Sequence, residues 1–288
     1  MVLLYIPPVQ NLLRREVTAY ASKATGMQIQ VERIDLRFPL NLLVRGVEVI
    51  QQPDTLLSLE SLNVRVQAWP LLKGKVEVDE VTLSQVAVNS ANLIEGMQIK
   101  GVLGRFFLQS HGVDLSNETA VVNRTELSDT HIQLLMTDTT TTPKDTTASA
   151  PVNWKVNLHQ LKLKNVSFGM KLPADSMKMA AYIGEATIDD AKADLKNQFY
   201  GLKQFLLSGA SASYDTGEAQ PSEGFDASHM AVRNIRIGLD SLLYEGRNMN
   251  AVIREITMEE RSGLSITSLT GRLFSNDSII RIPELKLQ

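Results

Sequence analysis

The histidines and the paired carboxylates are the residues of this chain whose types could do chemistry. The four histidines are scattered along the sequence and form no spaced set of metal ligands. They are His111, His131, His159 and His229. Asp189-Asp190 and Glu259-Glu260 are adjacent carboxylates, and adjacent side chains diverge on a strand, which favours turns over acid–base pairs. With no Gly-x-Ser-x-Gly elbow and no phosphate-binding glycine loop, the sequence predicts that the protein is not an enzyme and has no metal site or cofactor.

Composition excludes further classes of function. The 288-residue chain has a net charge of −3 and no long basic run, so it lacks the electrostatic footprint of a nucleic-acid-binding protein. It has no cysteine, which excludes disulfides, thiol catalysis and thiolate metal sites. A cysteine-free chain is compatible with the cytoplasm and with a bacterial periplasm.

The dominant feature is a six-residue pattern of one apolar residue, two polar or small residues, and then apolar, polar, apolar. Seven clean copies start at Val31, Val44, Leu59, Val78, Leu158, Val232 and Ile253, and two weaker copies start at Val122 and Ile183. Period-two alternation places apolar side chains on one face of a strand. The two consecutive polar residues break that alternation, and a strand absorbs the extra residue as a bulge or ends there. The repetition therefore predicts a shared surface built from many similar strands.

Four segments have two polar or acidic residues between apolar or small ones and predict two-residue hairpin turns. They are Leu83-Ser84-Gln85-Val86, Leu127-Ser128-Asp129-Thr130, Leu163-Lys164-Asn165-Val166 and Ile188-Asp189-Asp190-Ala191. In such a hairpin the flanking residues are opposite one another, so Leu83 with Val86 and Leu163 with Val166 would form apolar strips on one face. Two architectures fit these strips: an antiparallel sandwich with the strips in its core, or a curled sheet whose apolar face has no second sheet over it.

One strong helix is expected near the start of the chain. After Pro7 and Pro8, apolar residues recur at helical spacing, and Gly26 ends the segment as a C-terminal cap would. The apolar positions are Val9, Leu12, Leu13, Val17, Tyr20, Ala21 and Ala24. The helix either plugs the open end of the sheet or lies on a membrane surface.

The remaining segments divide the chain into regions. Residues 1–6 are apolar but too short to cross a bilayer, which takes about 20 residues, and we interpret them as the remnant of a membrane helix. The other expected regions are the amphipathic helix at 7–26, a first β-groove part at 27–137, a flexible Thr-rich loop at 138–150, and a continued β-groove at 151–288 in a piece cut from a longer chain. Lys196 to Leu207 is expected to form strands and Asp215 to Asp226 a loop.

An uncovered aliphatic face would need an amphiphile, a membrane or a partner. Fourteen side chains are predicted to contact lipid acyl chains. They are Ile34, Leu36, Val47, Val49, Leu62, Val64, Val81, Leu83, Val86, Val88, Leu161, Leu163, Val166 and Phe168. A register error of one residue would turn each of them to the opposite face.

Two stretches carry a resemblance to a known family. A strand, the connection Trp69-Pro70-Leu71-Leu72-Lys73-Gly74 and the following strand to Val88 resemble the N-terminal signature of the AsmA-like superfamily. The helix ending at Thr25-Gly26 sits where that family has a helix directly after its inner-membrane span. Leu93 to Gly101 and Val232 to Ile237 are similar to the N-terminal part of TamB-like translocation and assembly module proteins.

The resemblance implies a β-taco groove in the periplasm, anchored to the inner membrane by an N-terminal helix that this chain lacks. It further implies a conduit that helps move phospholipids between the inner and outer membranes, with an outer-membrane barrel protein as a further partner. Two alternatives stay open at this stage. One is a scaffold that assists outer-membrane protein assembly by strand addition to a barrel partner, and the other is a closed sandwich with an unrelated binding role.

Overall fold

The computed structural model of the protein describes residues 7–67, 69, 77–91, 93–114, 117–136, 153–217 and 220–288. It contains one long α-helix, fifteen strands and a short 3-10 turn at Pro173–Asp175. The helix is α1 (Pro7–Thr25), and the strands are β1 (Gln28–Arg37), β2 (Asn41–Gln51), β3 (Asp54–Val66), β4 (Val78–Asn89), β5 (Met97–Asp114), β6 (Thr119–Met136), β7 (Lys155–Leu172), β8 (Met177–Asp194), β9 (Phe199–Leu202), β10 (Gln204–Asp215), β11 (His229–Glu245), β12 (Asn248–Glu260), β13 (Ser265–Ser275), β14 (Ile280–Arg281) and β15 (Lys286–Leu287).

All fifteen strands belong to one sheet, and they follow one another in chain order apart from the short β9 and β15. The sheet is curled, and its first strand does not pair with its last ones. This confirms the expected mainly β fold, a curled open sheet with one N-terminal helix. Neighbouring strands are antiparallel except for β6 and β7, which run parallel from Thr119↔Lys155 to Leu135↔Lys171. The strand pattern did not anticipate this parallel pair, because the side-chain period is the same in both directions.

The four predicted hairpin turns are wrong. Each lies inside a continuous strand, in β4, β6, β7 and β8. Their third residues, Gln85, Asp129, Asn165 and Asp190, take left-handed φ values of 49°, 52°, 54° and 49°. A single left-handed residue absorbs the two polar residues within the strand, so that no reversal is needed. Leu163 and Val166 are consequently half-buried on either side of the exposed Lys164 and Asn165.

Most of these left-handed residues are aligned across the sheet, and we call the alignment the kink line. Its members with positive φ are Gly46, Gln85, Asp129, Asn165, Gly209 and Asn234. Regular pairing is interrupted where the line crosses β1 to β8, for example between Leu59↔Val86 and Ser61↔Ser84. Bulges bend a strand and increase its twist, and bulges placed in line curl a sheet. The kink line is therefore one cause of the curl.

Close backbone approach explains two of the glycines on the kink line. A Cβ atom at Gly104 would lie 2.7 Å from the Cβ of Asp129 and 2.9 Å from its carbonyl oxygen. A Cβ atom at Gly184 would lie 2.9 Å from the carbonyl oxygen of Gly209. These distances are too short for a methyl group, so the neighbouring kinked strand needs glycine opposite it.

Helix α1 lies along the free edge of β1. The Gln10 Nε2 donates to the carbonyl oxygen of Leu36 (2.9 Å), and an Arg14 guanidinium nitrogen donates to that of Glu32 (2.9 Å). The backbone N–H of Ile29 donates to the Ser22 hydroxyl (3.0 Å). An edge strand presents unpaired N–H and C=O groups, and these polar side chains pair with them.

Three large apolar side chains of α1 consequently face solvent and not the sheet. Leu12, Val17 and Tyr20 are 59%, 46% and 77% exposed. The sequence predicted the helix correctly but not the face that would contact the sheet, because the edge of a strand needs hydrogen-bonding partners more than it needs apolar ones.

Several expected regions have structural counterparts. Lys196 to Leu207 includes β9 and the start of β10, as predicted, and the loop from Asp215 to Asp226 lies between β10 and β11. The expected membrane-helix remnant at 1–6 and the Thr-rich loop at 138–150 lie outside the described residues.

Candidate functional site

An uninterrupted row of apolar residues crosses the sheet, one from each of thirteen strands. Each member is the direct pairing partner of the next, from β1 to β15. We call it row A; its members are Ile34, Val44, Leu62, Leu83, Phe106, Leu127, Leu163, Ala186, Leu207, Ile237, Ile256, Leu269 and Leu287. Directly paired residues project to the same face, so row A is one continuous apolar band.

Three shorter rows accompany row A. Row B lies two residues from row A on the side away from the kink line; its members are Leu36, Leu42, Val64, Val81, Leu108, Thr125, Leu161, Ile188, Phe205, Leu239, Ile253 and Gly271. Row C lies across the kink line and consists of Val31, Val47, Leu59, Val86, Leu103, Thr130, Val166 and Ile183. Row D follows row C and consists of Ile29, Val49, Leu57, Val88, Gly101, Ile132, Phe168, Ala181, Ala212 and Val232. We call rows A to D together the apolar face.

All fourteen residues predicted to contact lipid lie on these four rows. Row A contains Ile34, Leu62, Leu83 and Leu163, and row B contains Leu36, Val64, Val81 and Leu161. Row C contains Val47, Val86 and Val166, and row D contains Val49, Val88 and Phe168. The sequence missed other members, notably Phe106, Leu127 and Leu207. The signal that could have found them is the repeated spacing of three between apolar or small residues that flank two polar or glycine residues, as in Leu103 and Phe106.

Among the residues that the structure describes, no second protein layer covers the apolar face. All described strands belong to the one sheet, and in the described part of the chain no large side chain is fully buried. Among the described residues, the buried apolar side chains larger than alanine are Ile34, Leu56 and Val122. On row D, Val88, Ile132 and Phe168 are 38%, 39% and 41% exposed. A sandwich with these rows in its core would bury most of them completely, so the structure does not support the sandwich interpretation.

The residues that could do chemistry are dispersed across the structure. His131 and His159 are exposed, as their strand positions predict, and contact Ser167 (2.6 Å) and Asp190 (3.1 Å) respectively. His229 is buried, with its Nδ1 3.0 Å from Asp226. Within the described ranges, no group of three or more His, Asp or Glu residues is placed to hold a metal ion.

The paired carboxylates make structural contacts. Asp190 contacts the Lys203 ammonium at 2.8 Å, and the hydrogen bond from Lys203, together with one from His159, lowers the pKa of Asp190. Glu259 pairs with Arg233 at 3.1 Å. Glu260 is buried, and the hydroxyl and backbone N–H of Ser262 together with the N–H groups of Ala231 and Arg261 lower its pKa to about 2. These carboxylates therefore take part in hydrogen bonds and ion pairs between neighbouring segments of the sheet.

Comparison with known proteins assigns no family. No protein-family model matches this sequence, and a search of curated proteins found no match. Among the helical residues that the structure describes, no segment has both the length and the hydropathy needed to cross a bilayer.

Proposed function

We propose that this chain is a segment of a lipid-conducting groove, in which the acyl chains of phospholipids lie on the apolar face. The observation that carries the proposal is row A, which continues from strand to strand without a polar residue and which no described part of the chain covers. At about 4.8 Å per strand, twelve steps give a band of roughly 58 Å. A band of that length holds an acyl chain at many successive positions.

The composition of the apolar face suits movement along it better than fixed binding. Each buried CH2 contributes about 0.8 kcal/mol, so a chain of about 16 carbons gains on the order of 10 kcal/mol before entropy losses. Aliphatic rows without polar anchors offer similar free energy at each position, because dispersion and hydrophobic contact are not directional. The protein would therefore hold acyl chains while letting them slide, with no catalytic step.

The family resemblance supports the cellular setting of this proposal. We place the protein in the periplasm, anchored to the inner membrane and moving phospholipids between the inner and outer membranes. The solvent-facing side of α1, with Leu12, Val17 and Tyr20 exposed beside Arg15 and Lys23, has the composition of a helix that lies on an anionic membrane surface.

A charge on row A tests the proposal. In Leu83→Asp a carboxylate stands in the path of the acyl chains, and moving an alkyl chain past it requires partial desolvation, which costs several kcal/mol. We expect the folded variant to retain much less copurifying phospholipid, measured by mass spectrometry, and to transfer fluorescent phospholipid between vesicles more slowly. The matched control is Gln85→Asp, which adds the same charge at an exposed position of the same strand.

A second variant keeps the test decisive if Leu83→Asp does not fold. Val88→Asp changes a row D side chain that is already 38% exposed, so the new carboxylate has access to water in the lipid-free protein. Equal lipid content and transfer rate in Val88→Asp, Gln85→Asp and the wild type would refute the proposal.

Strand addition is a second candidate function, favoured by the last edge of the sheet. There β14 and β15 are two-residue strands, and Ile280 and Leu287 are 70% and 60% exposed. An exposed aliphatic edge is a template for another strand, such as one of an outer-membrane barrel protein during assembly. A delipidated protein that captures an unfolded barrel protein, and that carries no phospholipid when purified, would favour this candidate over the conduit.

A further inference from the structure

A trough lies on the face of the sheet opposite the apolar rows, across β5 to β11. Its floor is a row of directly paired residues with small side chains in the middle: Gln133, Gly169, Ala180, Ser213 and Ala231. Longer side chains stand on both sides, with Lys171 and Lys178 on one side and His131 and Tyr182 on the other. The groove is open to solvent and has a volume of about 1020 Å3, which is the size of a ligand site. The row D members Phe168, Ala181, Ala212 and Val232 also border it.

The lining of this trough is strongly cationic. Five cations, Lys100, Lys171, Lys178, Arg233 and Arg261, line it, against the single carboxylate Asp215. Arg233 is paired with Glu259 outside the lining, so the remaining lining carries a net charge of +3, whereas the whole chain has a net charge of −3. Such a reversal of sign in a concave surface concentrates anions.

The lysine pair in the trough is the most informative feature. Lys171 and Lys178 are direct partners in the antiparallel β7–β8 pair, so their Cβ atoms are about 5 Å apart. Like charges directly opposite one another destabilise a sheet. Lys178 also lies opposite Asp215, yet neither lysine makes an ion pair with any described residue. The arrangement leaves two ammonium groups available to one ligand.

We propose that the trough binds a phosphate-bearing ligand, with its phosphate between Lys171 and Lys178. A phosphate group presents several acceptor oxygens within a few ångströms, and each ammonium group offers three donors. Arg261, which follows β12 and makes no ion pair with a described residue, would interact with a second anionic group of a longer ligand. Lys171 and Lys178 lie an odd number of residues from the row D members Phe168 and Ala181, so their side chains project to the face opposite the proposed acyl-chain surface.

The phosphate could belong to a lipid headgroup or to a soluble compound, and two probes distinguish the sources. One probe is pyrophosphate, titrated by calorimetry. The other is phosphatidylcholine vesicles with and without an equal share of phosphatidylglycerol, tested by flotation. Binding of pyrophosphate alone assigns a soluble phosphate, and binding of the anionic vesicles with competition by pyrophosphate assigns a headgroup. Either result supports the proposed site if the measured binding depends on Lys171 and Lys178.

The variant Lys171→Gln/Lys178→Gln tests that dependence. We expect its affinity for the bound probe to fall at least about ten-fold, the loss of roughly one charge-assisted hydrogen bond. The matched control is Lys162→Gln/Lys192→Gln, which removes the same charge from exposed positions elsewhere on β7 and β8, and we expect less than about a two-fold change. All four positions are exposed, and a thermal melt of each variant verifies that it is folded.

Three results would overturn the proposal. The first is that the wild type binds neither probe, and the second is that both double variants weaken binding equally. The third is that poly-glutamate binds as tightly as pyrophosphate with the same dependence on the lysine pair, which would make the trough a docking surface for acidic polypeptides.

Discussion

A methyl group at Gly104 should loosen the sheet at the kink line, and the clash can be estimated from the structure. In Gly104→Ala the new Cβ would lie 2.7 Å from the Cβ of Asp129, 2.9 Å from the Asp129 carbonyl oxygen and 3.1 Å from the Ser128 carbonyl oxygen. Two of these neighbours are backbone atoms, which cannot move away by rotating a side chain. Strands β5 and β6 must therefore separate at the kink, between the pairs Leu103↔Thr130 and Arg105↔Ser128.

Overpacking of this kind costs about 1–3 kcal/mol. For a chain of this size each kcal/mol lowers the melting temperature by roughly 2 °C, so we expect a decrease of about 2–6 °C. Circular dichroism melts measure it. The matched control is Gly169→Ala, because a Cβ at Gly169 would meet only the Gln133 Cγ, at 3.8 Å, and alanine lowers the entropy of the unfolded chain. We expect that variant to melt at or slightly above the wild-type temperature.

A double-mutant cycle identifies the clash as the cause. Asp129→Gly removes the Cβ that the new methyl would meet at 2.7 Å and suits the left-handed φ of 52° at that position. The double variant Gly104→Ala/Asp129→Gly should therefore be more stable than the sum of the two single changes predicts. Equal melting temperatures for Gly104→Ala and Gly169→Ala would refute the reasoning, and strict additivity in the cycle would show that contact with the Asp129 Cβ contributes nothing to the loss of stability.

Two further predictions concern the kink line and the acid stability of the sheet. Asn165→Val should lower the free energy of unfolding by roughly 1–2 kcal/mol in urea titrations, because a β-branched residue resists the φ of 54° at that position. The control Asn165→Gly should lose mainly the hydrogen bond to Asp129. An equal loss of stability in both variants would contradict the backbone explanation. Because the pKa of Glu260 falls from 4.5 in the unfolded chain to about 2 in the folded protein, its contribution to stability is complete above pH 4.5 and is lost as the pH falls towards 2. Melting curves of Glu260→Gln should therefore show a weaker dependence on pH than the wild type in that window, and parallel curves would contradict the assignment.

The lipid-contact prediction shows how far a linear pattern reaches. The sequence pattern assigned Leu83 and Val86 to one face because a hairpin turn was expected between them, and that reason is wrong. They lie on one face because Gln85 is left-handed within a single continuous strand. A turn and an in-strand kink require the same residues, two polar or small ones between apolar ones. Only the paired strands decide between them, since a continuous neighbour keeps the strand from reversing.

The sequence by itself determined which side chains are apolar, their period, the N-terminal helix and the lack of a catalytic or metal-ligand motif, because these depend on residue type and local spacing. Tertiary structure decided the rest. The alignment of Ile34, Leu83 and Leu163 into one row depends on register, which is a relation between strands distant in sequence. The same is true of the facing of Lys171 and Lys178, which creates the cationic trough, and of the polar contact of α1 with the edge of β1. These features depend on the pairing energy between strands and on the need of an edge strand for hydrogen-bonding partners. Neither of these can be derived from the local residue pattern of one strand.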